Sequence, residues 1–448
     1  MARSPGILGN WHSRTTFVLA LAAFAVGLGN VWRFPYLLST YGGGLFMLAY
    51  VGALVLLAVP ILVAEVAIGG QGRGSPPLAM MWAADRSMTS RSWAAVGLLI
   101  CAVALMLLVI QVVVSAWVLG TVNDLRLGGF SGASVIDAAT QFERLLADPT
   151  ALLQWQSLFL LILATATCLG IRRGVGVLVW ILVPAIVAVL MPLMDFALRH
   201  GDLVGTENTL FAIQPLDFGM EAVLFAVVQA AFTLGIGAGV GMTYGAYSSA
   251  RLPVVRSILA VAIFDCAIGV GAAVAVVPLV LGANLELAQG PALAFIAMPY
   301  VFGNLPDGEM YGVLFYALLL LIALGSALAL MEVLTAAVKQ LLLVRRLTAA
   351  VIVGAGVWAL CASVTLSLSG FGPLGIPLMQ FLDSAVSRLG QPLAVLGVGL
   401  FVAWVMHPVL RHDQLARAPE LLYATWLLLL RYVSLPVIMA LFVVALFH

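Results

Sequence analysis

Residues 23–36 read Ala23-Phe-Ala-Val-Gly-Leu-Gly-Asn-Val-Trp-Arg-Phe-Pro-Tyr36, with two glycines, an asparagine and one arginine in the middle of an apolar span. In hydrocarbon, each backbone N–H and C=O that leaves a helix must find another partner. A span that breaks here therefore offers carbonyls and amides to something other than lipid. The simplest takers are a small cation and a charged or zwitterionic solute. The stretch points to a transporter.

The rest of the chain agrees with a membrane setting. Of its 448 residues, 63% are hydrophobic and 9% charged, and the mean hydropathy is +1.15; soluble proteins carry about 25% charged residues. Apolar runs of about 20 residues recur throughout, each long enough to cross a bilayer. The sequence predicts a single all-α transmembrane domain over 1–448. The net charge of +1 is uninformative; no basic run suggests nucleic acid, so no nucleic-acid partner is expected, and no obligate protein partner is evident. Cys101, Cys168, Cys266 and Cys361 lie in apolar spans without metal-ligand spacing and read as packing residues. Residues 1–12 hold no signal-peptide apolar region, so the spans themselves direct insertion.

Eleven spans are expected, at about 15–39, 44–70, 92–123, 152–170, 175–198, 219–247, 254–281, 309–343, 347–369, 379–407 and 421–446. The connectors holding Arg73, Arg86, Arg91, Arg172, Arg173, Arg251, Arg256, Lys339, Arg345, Arg346, Arg411 and Arg417 all fall on the side of the N-terminus. The opposite loops carry Asp137, Asp148, Glu207, Asp307 and Glu309. Basic loops stay cytoplasmic, which puts the N-terminus inside and, after eleven crossings, His448 outside.

A second interruption, Gly235-Ile-Gly-Ala-Gly-Val-Gly241, falls in the sixth span. Five spans separate it from Gly27-Leu-Gly29, so two five-helix units, about 15–198 and 219–407, would insert with opposite topology, followed by an extra helix at about 421–446. Matched breaks in inverted halves place a binding site near the bilayer midplane. Glycines that merely let helices pack closely are the plainer alternative.

Ionisable residues inside spans are expensive and default to function. They are Arg33, Glu65, Asp265 and Glu332, with Arg431 near the inner end of the last span. Arg33 lies beyond the first break toward the outside and Asp383 opens the tenth span from the same side, which suggests a pair across the outer vestibule; Arg33 snorkelling to the surface alone is the alternative. Asp265, mid-helix, needs a cation or its own proton. With the neutral oxygens of Asn30 and Thr233, one in each broken span, it suggests a sodium cage. Glu65 and Glu332 are expected to satisfy backbone amides freed at the breaks. No nucleophile–base constellation supports an enzyme.

Asn10-Trp-His-Ser-Arg14, Gly27 to Tyr36, Gly42-Gly-Gly44, Gln229 to Gly235, Thr243-Tyr-Gly-Ala-Tyr247 and Leu330-Met-Glu332 together resemble the neurotransmitter:sodium symporter family, over nearly the whole chain and in order. Eleven spans resemble its bacterial amino-acid transporter branch. The resemblance implies a 5+5 inverted-repeat fold with broken first and sixth helices. It also implies a first sodium site at the Ala25 carbonyl, Asn30, Thr233 and Asp265. A carboxylate at Asp265 would stand in for the chloride that animal members bind, so no chloride is expected. A second sodium site would use the carbonyls of Ala23, Val26 and Ile322 with Gly325 and Ser326, where Gly325 lacks a hydroxyl. One sodium is expected and two are possible.

The same resemblance assigns the solute carboxylate to sodium and the amides of Leu28 and Gly29. Gln111 stands where a tyrosine usually donates to it. Leu107, Phe232, Thr233, Gly235, Ala238, Ser326 and Leu330 would complete the pocket, with Gly235 and Ala238 leaving room for a bulky group. Arg33, Phe232 and Asp383 would shut the outer side; Tyr247 and Glu332 the inner. The family's inner Arg–Asp pair aligns with Leu8 and Gln340 and is missing, with Arg3 a conceivable substitute. The expected function is sodium-coupled import of an amino acid or related zwitterion across a bacterial inner membrane by alternating access. The alternatives are a proton- or single-sodium-coupled carrier of another organic acid or sulfonate, and a receptor that binds without transport.

Overall fold

The structure is a computed structural model that describes residues 9–248, 252–370, 377–415 and 419–447. Among the described residues, nine helices are long and apolar enough to cross a bilayer in one piece. They are Gly44–Gly72, Arg91–Arg126, Pro149–Cys168, Ile171–His200, Val254–Gly282, Gly308–Leu341, Arg346–Leu368, Leu378–Val405 and Glu420–Ala445. The first and sixth spans, each made of two helices, bring the crossings among the described residues to eleven.

The first span runs as Arg14–Ala25 and Gly29–Thr40, bent by 60° at the break. Ser13 starts it, its Oγ accepting from the Thr16 N–H at 3.1 Å, and Val26 ends the inner half in an extended conformation. The sixth span runs as Met220–Thr233 and Val240–Ala246. Between them Gly235, Gly237 and Gly239 hold φ of +58°, +81° and +76°, a left-handed region that glycine enters without strain. Both breaks fall where the glycines place them.

Other glycines join helices rather than end them. A Cβ on Gly69 would lie 1.8 Å from the Met242 carbonyl oxygen, and one on Gly245 2.6 Å from that of Val66. The second span and the inner half of the sixth thus meet backbone to backbone. This is why the second helix continues to Gly72 through residues that read as the start of a connector.

Several spans contain a wide π-type turn, which frees carbonyls inside the bilayer. In the tenth, at Phe401–Val405, the Val402 and Ala403 carbonyls accept from Arg411 Nη1 at 3.1 and 3.0 Å. Arg431 Nε donates to the same Ala403 oxygen at 2.9 Å. The intramembrane arginine of the last span is therefore a backbone cap.

Candidate ion and solute site

The two breaks face each other at the centre of the bundle. Asn30 opens the outer half of the first span, Thr233 closes the outer half of the sixth, and Asp265 projects from the seventh helix, fully buried. The Asp265 carboxylate accepts from Asn30 Nδ2 at 2.7 Å and from Thr233 Oγ1 at 2.7 Å. Thr233 Oγ1 lies 3.1 Å from Asn30 Oδ1. Three side chains from three elements thus converge on one point, with the Ala25 carbonyl at the end of the adjoining half-helix. Tyr50, on the second helix, donates to Asp265 Oδ2 at 3.3 Å. The sequence reading missed it, although a tyrosine in an apolar helix needs a partner for its hydroxyl.

A second cluster joins the first span to the eighth helix. Ser326 Oγ lies 3.1 Å from the Ile322 carbonyl, 3.3 Å from that of Val26 and 3.4 Å from that of Phe24. A Cβ at Gly325 would be 2.5 Å from the Ala23 oxygen. The chain brings Ala23, Val26, Ile322 and Ser326 together, but Gly325 contributes close approach and no ligand.

The break in the sixth span is held at one peptide. The Gly237 N–H donates to Glu65 Oε1 at 2.6 Å, and the Ile236 C=O of the same peptide accepts from Gln391 Nε2 at 2.7 Å. Glu65 does what its sequence context suggests. Glu332 does not: it lies at the inner end, where the Tyr247 hydroxyl donates to Oε1 at 2.5 Å. Arg346 Nη1 donates to the same oxygen at 3.0 Å, and Nη2 to Oε2. Arg346, read from sequence only as a basic connector, is thus a third member of this group.

The solute pocket departs from expectation at Gly235. A Cβ there would sit 2.3 Å from Phe24 Cζ, so the space left by the glycine is filled by the Phe24 ring. A glycine permits that close approach and no other residue would. Ala238, Ser326 and Leu330 are buried, while Leu107, Gln111 and Phe232 are half-buried. Gln111 Nε2 has no partner among the described residues. Leu28 and Gly29 head the outer half-helix, where the first amides lack intrahelical acceptors.

At the outer side, Arg33 does not pair with Asp383: among the described residues it forms no ion pair within 4.0 Å. Its guanidinium lies over the Phe232 ring, 5.3 Å from the centroid, and Asp383 is exposed. A cation over an aromatic face keeps part of its stabilisation where solvent is near. At the inner side, taken as that of the N-terminus, Tyr247 and Glu332 are fully buried. Trp11 packs edge-on against Tyr244 and Tyr247. Gln340 accepts from the Ser75 N–H at 2.6 Å; Leu8 and Arg3 lie outside the described residues. The inner side is thus closed by a packed, fully buried group.

Comparison with known proteins accords with this arrangement. The sequence matches the Sodium:neurotransmitter symporter family over residues 8–123 and 141–448. An uncharacterized sodium-dependent transporter of Bacillus subtilis, YhdH, is 28% identical over 435 residues, 94% of each chain. One from Haemophilus influenzae is 25% identical over 455 residues, 98% of each. The crystal structure of MhsT in complex with L-phenylalanine superposes with a TM-score of 0.86 at 28% identity, covering 98% of this chain and 99% of that one. The chain belongs to the sodium:neurotransmitter symporter family, and it is a multi-pass, sodium-dependent membrane transporter with that fold.

Proposed function

We propose that the protein imports an amino acid or a closely related zwitterion, driven by one sodium ion, across a bacterial inner membrane with its N-terminus inside and its C-terminus outside. The observation that carries this reading is the meeting of Asn30, Thr233 and Asp265 across both broken spans. Oxygens from two elements that must move relative to each other, joined by a buried carboxylate, form a site a monovalent cation completes. Sodium there would neutralise Asp265 and draw the two outer half-helices together. The solute carboxylate would lie against sodium and the amides of Leu28 and Gly29, with Gln111 Nε2 as a further donor; a helix N-terminus favours such an anion. MhsT, which has the same fold, forms a complex with L-phenylalanine, and this supports an amino acid as the substrate class.

Asp265 supplies the negative charge within the protein, so transport proceeds without chloride. Gly325 leaves the second cluster one oxygen short, which supports coupling to a single ion. Phe232 and Arg33 then close over the solute, and the inner group of Tyr247, Glu332 and Arg346 parts to release it.

A second reading, a carrier of another organic acid or a sulfonate, is favoured by one observation. Gln111 presents a free amide donor rather than a hydroxyl. Uptake of labelled amino acids and sulfonates into proteoliposomes, with inward sodium or potassium gradients, tests both. Accumulation of an amino acid with sodium alone is expected. Binding without accumulation would make the protein a receptor, and accumulation under a proton gradient without sodium would overturn the coupling.

A further inference from the structure

The wide turn at the end of the tenth span gathers two cations with no anion between them. Arg411, on the short helix Pro408–Leu415 that follows this span, and Arg431, within the last span, both donate to the Ala403 carbonyl, at 3.0 and 2.9 Å. Arg411 Nε also donates to the Tyr423 hydroxyl at 2.9 Å. Arg411 is 8% exposed and Arg431 is half-buried. Carbonyl and hydroxyl dipoles orient the guanidiniums but leave two like charges side by side, a costly arrangement away from bulk water. Among the described residues neither arginine has a carboxylate within 4.0 Å; Glu420, beside them in sequence, is 78% exposed and bound to His412 Nε2. Arg411 Nη2 and Arg431 Nη1 have no hydrogen-bond partner among the described residues, and neither atom is closed off from its surroundings. The turn also sits at the membrane edge. Phe401 packs edge-on against Trp93, at the start of the third span, and the His407 N–H donates to Ser87 Oγ at 3.0 Å. Trp404, 51% exposed, carries the Arg431 guanidinium 6.0 Å from its ring centroid, and such a tryptophan marks the headgroup level.

We propose that Arg411 and Arg431 bind the phosphate of an anionic phospholipid, in the leaflet on the side of the N-terminus. Arg411 Nη2 and Arg431 Nη1 donate to its oxygens, the pairing that guanidinium geometry suits, and its net negative charge offsets the two cations. A zwitterionic headgroup brings its own ammonium and leaves those cations uncompensated, so the site discriminates between the two lipids. The bound headgroup ties the end of the tenth span to the helix that follows it and to the last span. Occupancy therefore stabilises the fold by mass action.

The test is native mass spectrometry of the full-length protein in detergent, titrated with phosphatidylglycerol or with phosphatidylcholine of the same acyl chains. One phosphatidylglycerol per chain is expected to bind about tenfold or more tightly than phosphatidylcholine. Arg411→Gln and Arg431→Gln, whose amides can still donate to the Ala403 carbonyl, should each cut that preference about fivefold, equivalent to about 1 kcal/mol. Arg431→Lys, which keeps the charge, should retain most of it. Arg86→Gln, which removes an exposed cation over Trp82 on the same side, should leave it unchanged. Sodium-dependent solute binding reports that each variant is folded, and the parent's lipid preference needs no variant. Equal affinity of the parent for the two lipids would overturn the assignment. So would equal losses in Arg431→Lys and Arg431→Gln, a loss in Arg86→Gln matching theirs, or displacement of the lipid by inorganic phosphate at constant ionic strength.

Discussion

Glu65 and Gln391 grip opposite edges of a single peptide, the one joining Ile236 to Gly237, from two helices far apart in the chain. That peptide lies in the break of the sixth span, so its polar atoms have no helix to satisfy them. Glu65→Ala removes the acceptor of a buried N–H, at a cost of about 1–3 kcal/mol. The expected result is a lower unfolding temperature together with loss of sodium-dependent solute binding, while Glu65→Gln, which keeps an acceptor, stays near the parent in stability. Thermal unfolding with and without sodium and solute reads both.

The buried carboxylate of Asp265 predicts indifference to anions. Replacing external chloride with gluconate should leave uptake unchanged. Asp265→Asn removes the internal charge, and should weaken apparent sodium affinity by about tenfold or more, equivalent to about 1.4 kcal/mol. A chloride requirement in the parent protein would refute this account.

The close contact of Gly325 with the Ala23 carbonyl predicts a sodium-dependence curve with a Hill coefficient near one. Gly325→Ser would add the missing oxygen, but its Cβ must first displace the Ala23 carbonyl. The variant should lose uptake rather than gain a second ion. A coefficient clearly above one in the parent would count against the single-ion reading.

Phe24 and Gly235 predict a reciprocal pair. Gly235→Ala should cost most of the solute affinity, because its methyl meets the Phe24 ring, and Phe24→Ala should restore part of it. Ala238→Phe should also weaken binding. Dissociation constants for the single and double variants give the coupling, which should reach about 0.5 kcal/mol or more; simple additivity would show that the ring and the glycine act independently.

The inner seal rests on a carboxylate that is fully buried against an arginine 17% exposed. Arg346→Ala strands Glu332 without its cation, and breaking such a pair costs about 3–5 kcal/mol. The inner side should then become accessible to a thiol reagent at a cysteine placed at Thr335, with Arg346→Ala/Glu332→Gln less affected than Arg346→Ala alone. Equal labelling in the parent and in Arg346→Ala would remove Arg346 from the seal.

Whether a feature could be read from the sequence depends on whether it is local. The breaks at Gly27 to Gly29 and Gly235 to Gly241 were legible because glycine clusters in an apolar run act where they stand. The spans were legible because the bilayer fixes their length. Asn30, Thr233 and Asp265 could be grouped because a buried carboxylate needs a cation and each broken span offers one neutral side-chain oxygen; the family resemblance added the Ala25 carbonyl. What escaped were partners brought in by packing. Tyr50 is 215 positions from Asp265, and Phe24 reaches Gly235 only because the two breaks face each other. Arg346 looked like one basic loop residue among many, since nothing adjacent in sequence shows that its guanidinium turns inward. The expected Arg33–Asp383 ion pair does not form within 4.0 Å; the guanidinium lies instead over the ring of Phe232, a contact made across the two broken spans.

The glycine-to-carbonyl packing between residues 66–69 and 242–245 has a kinematic consequence. With no side chains to slide over one another, the second helix and the inner half of the sixth cannot shear, and they travel as one gear. If the protein opens toward the cell interior as proposed, that movement then falls to the inner stretch of the first helix. The lever would then be Arg14–Ala25, pivoting at the kink just ahead of Gly29.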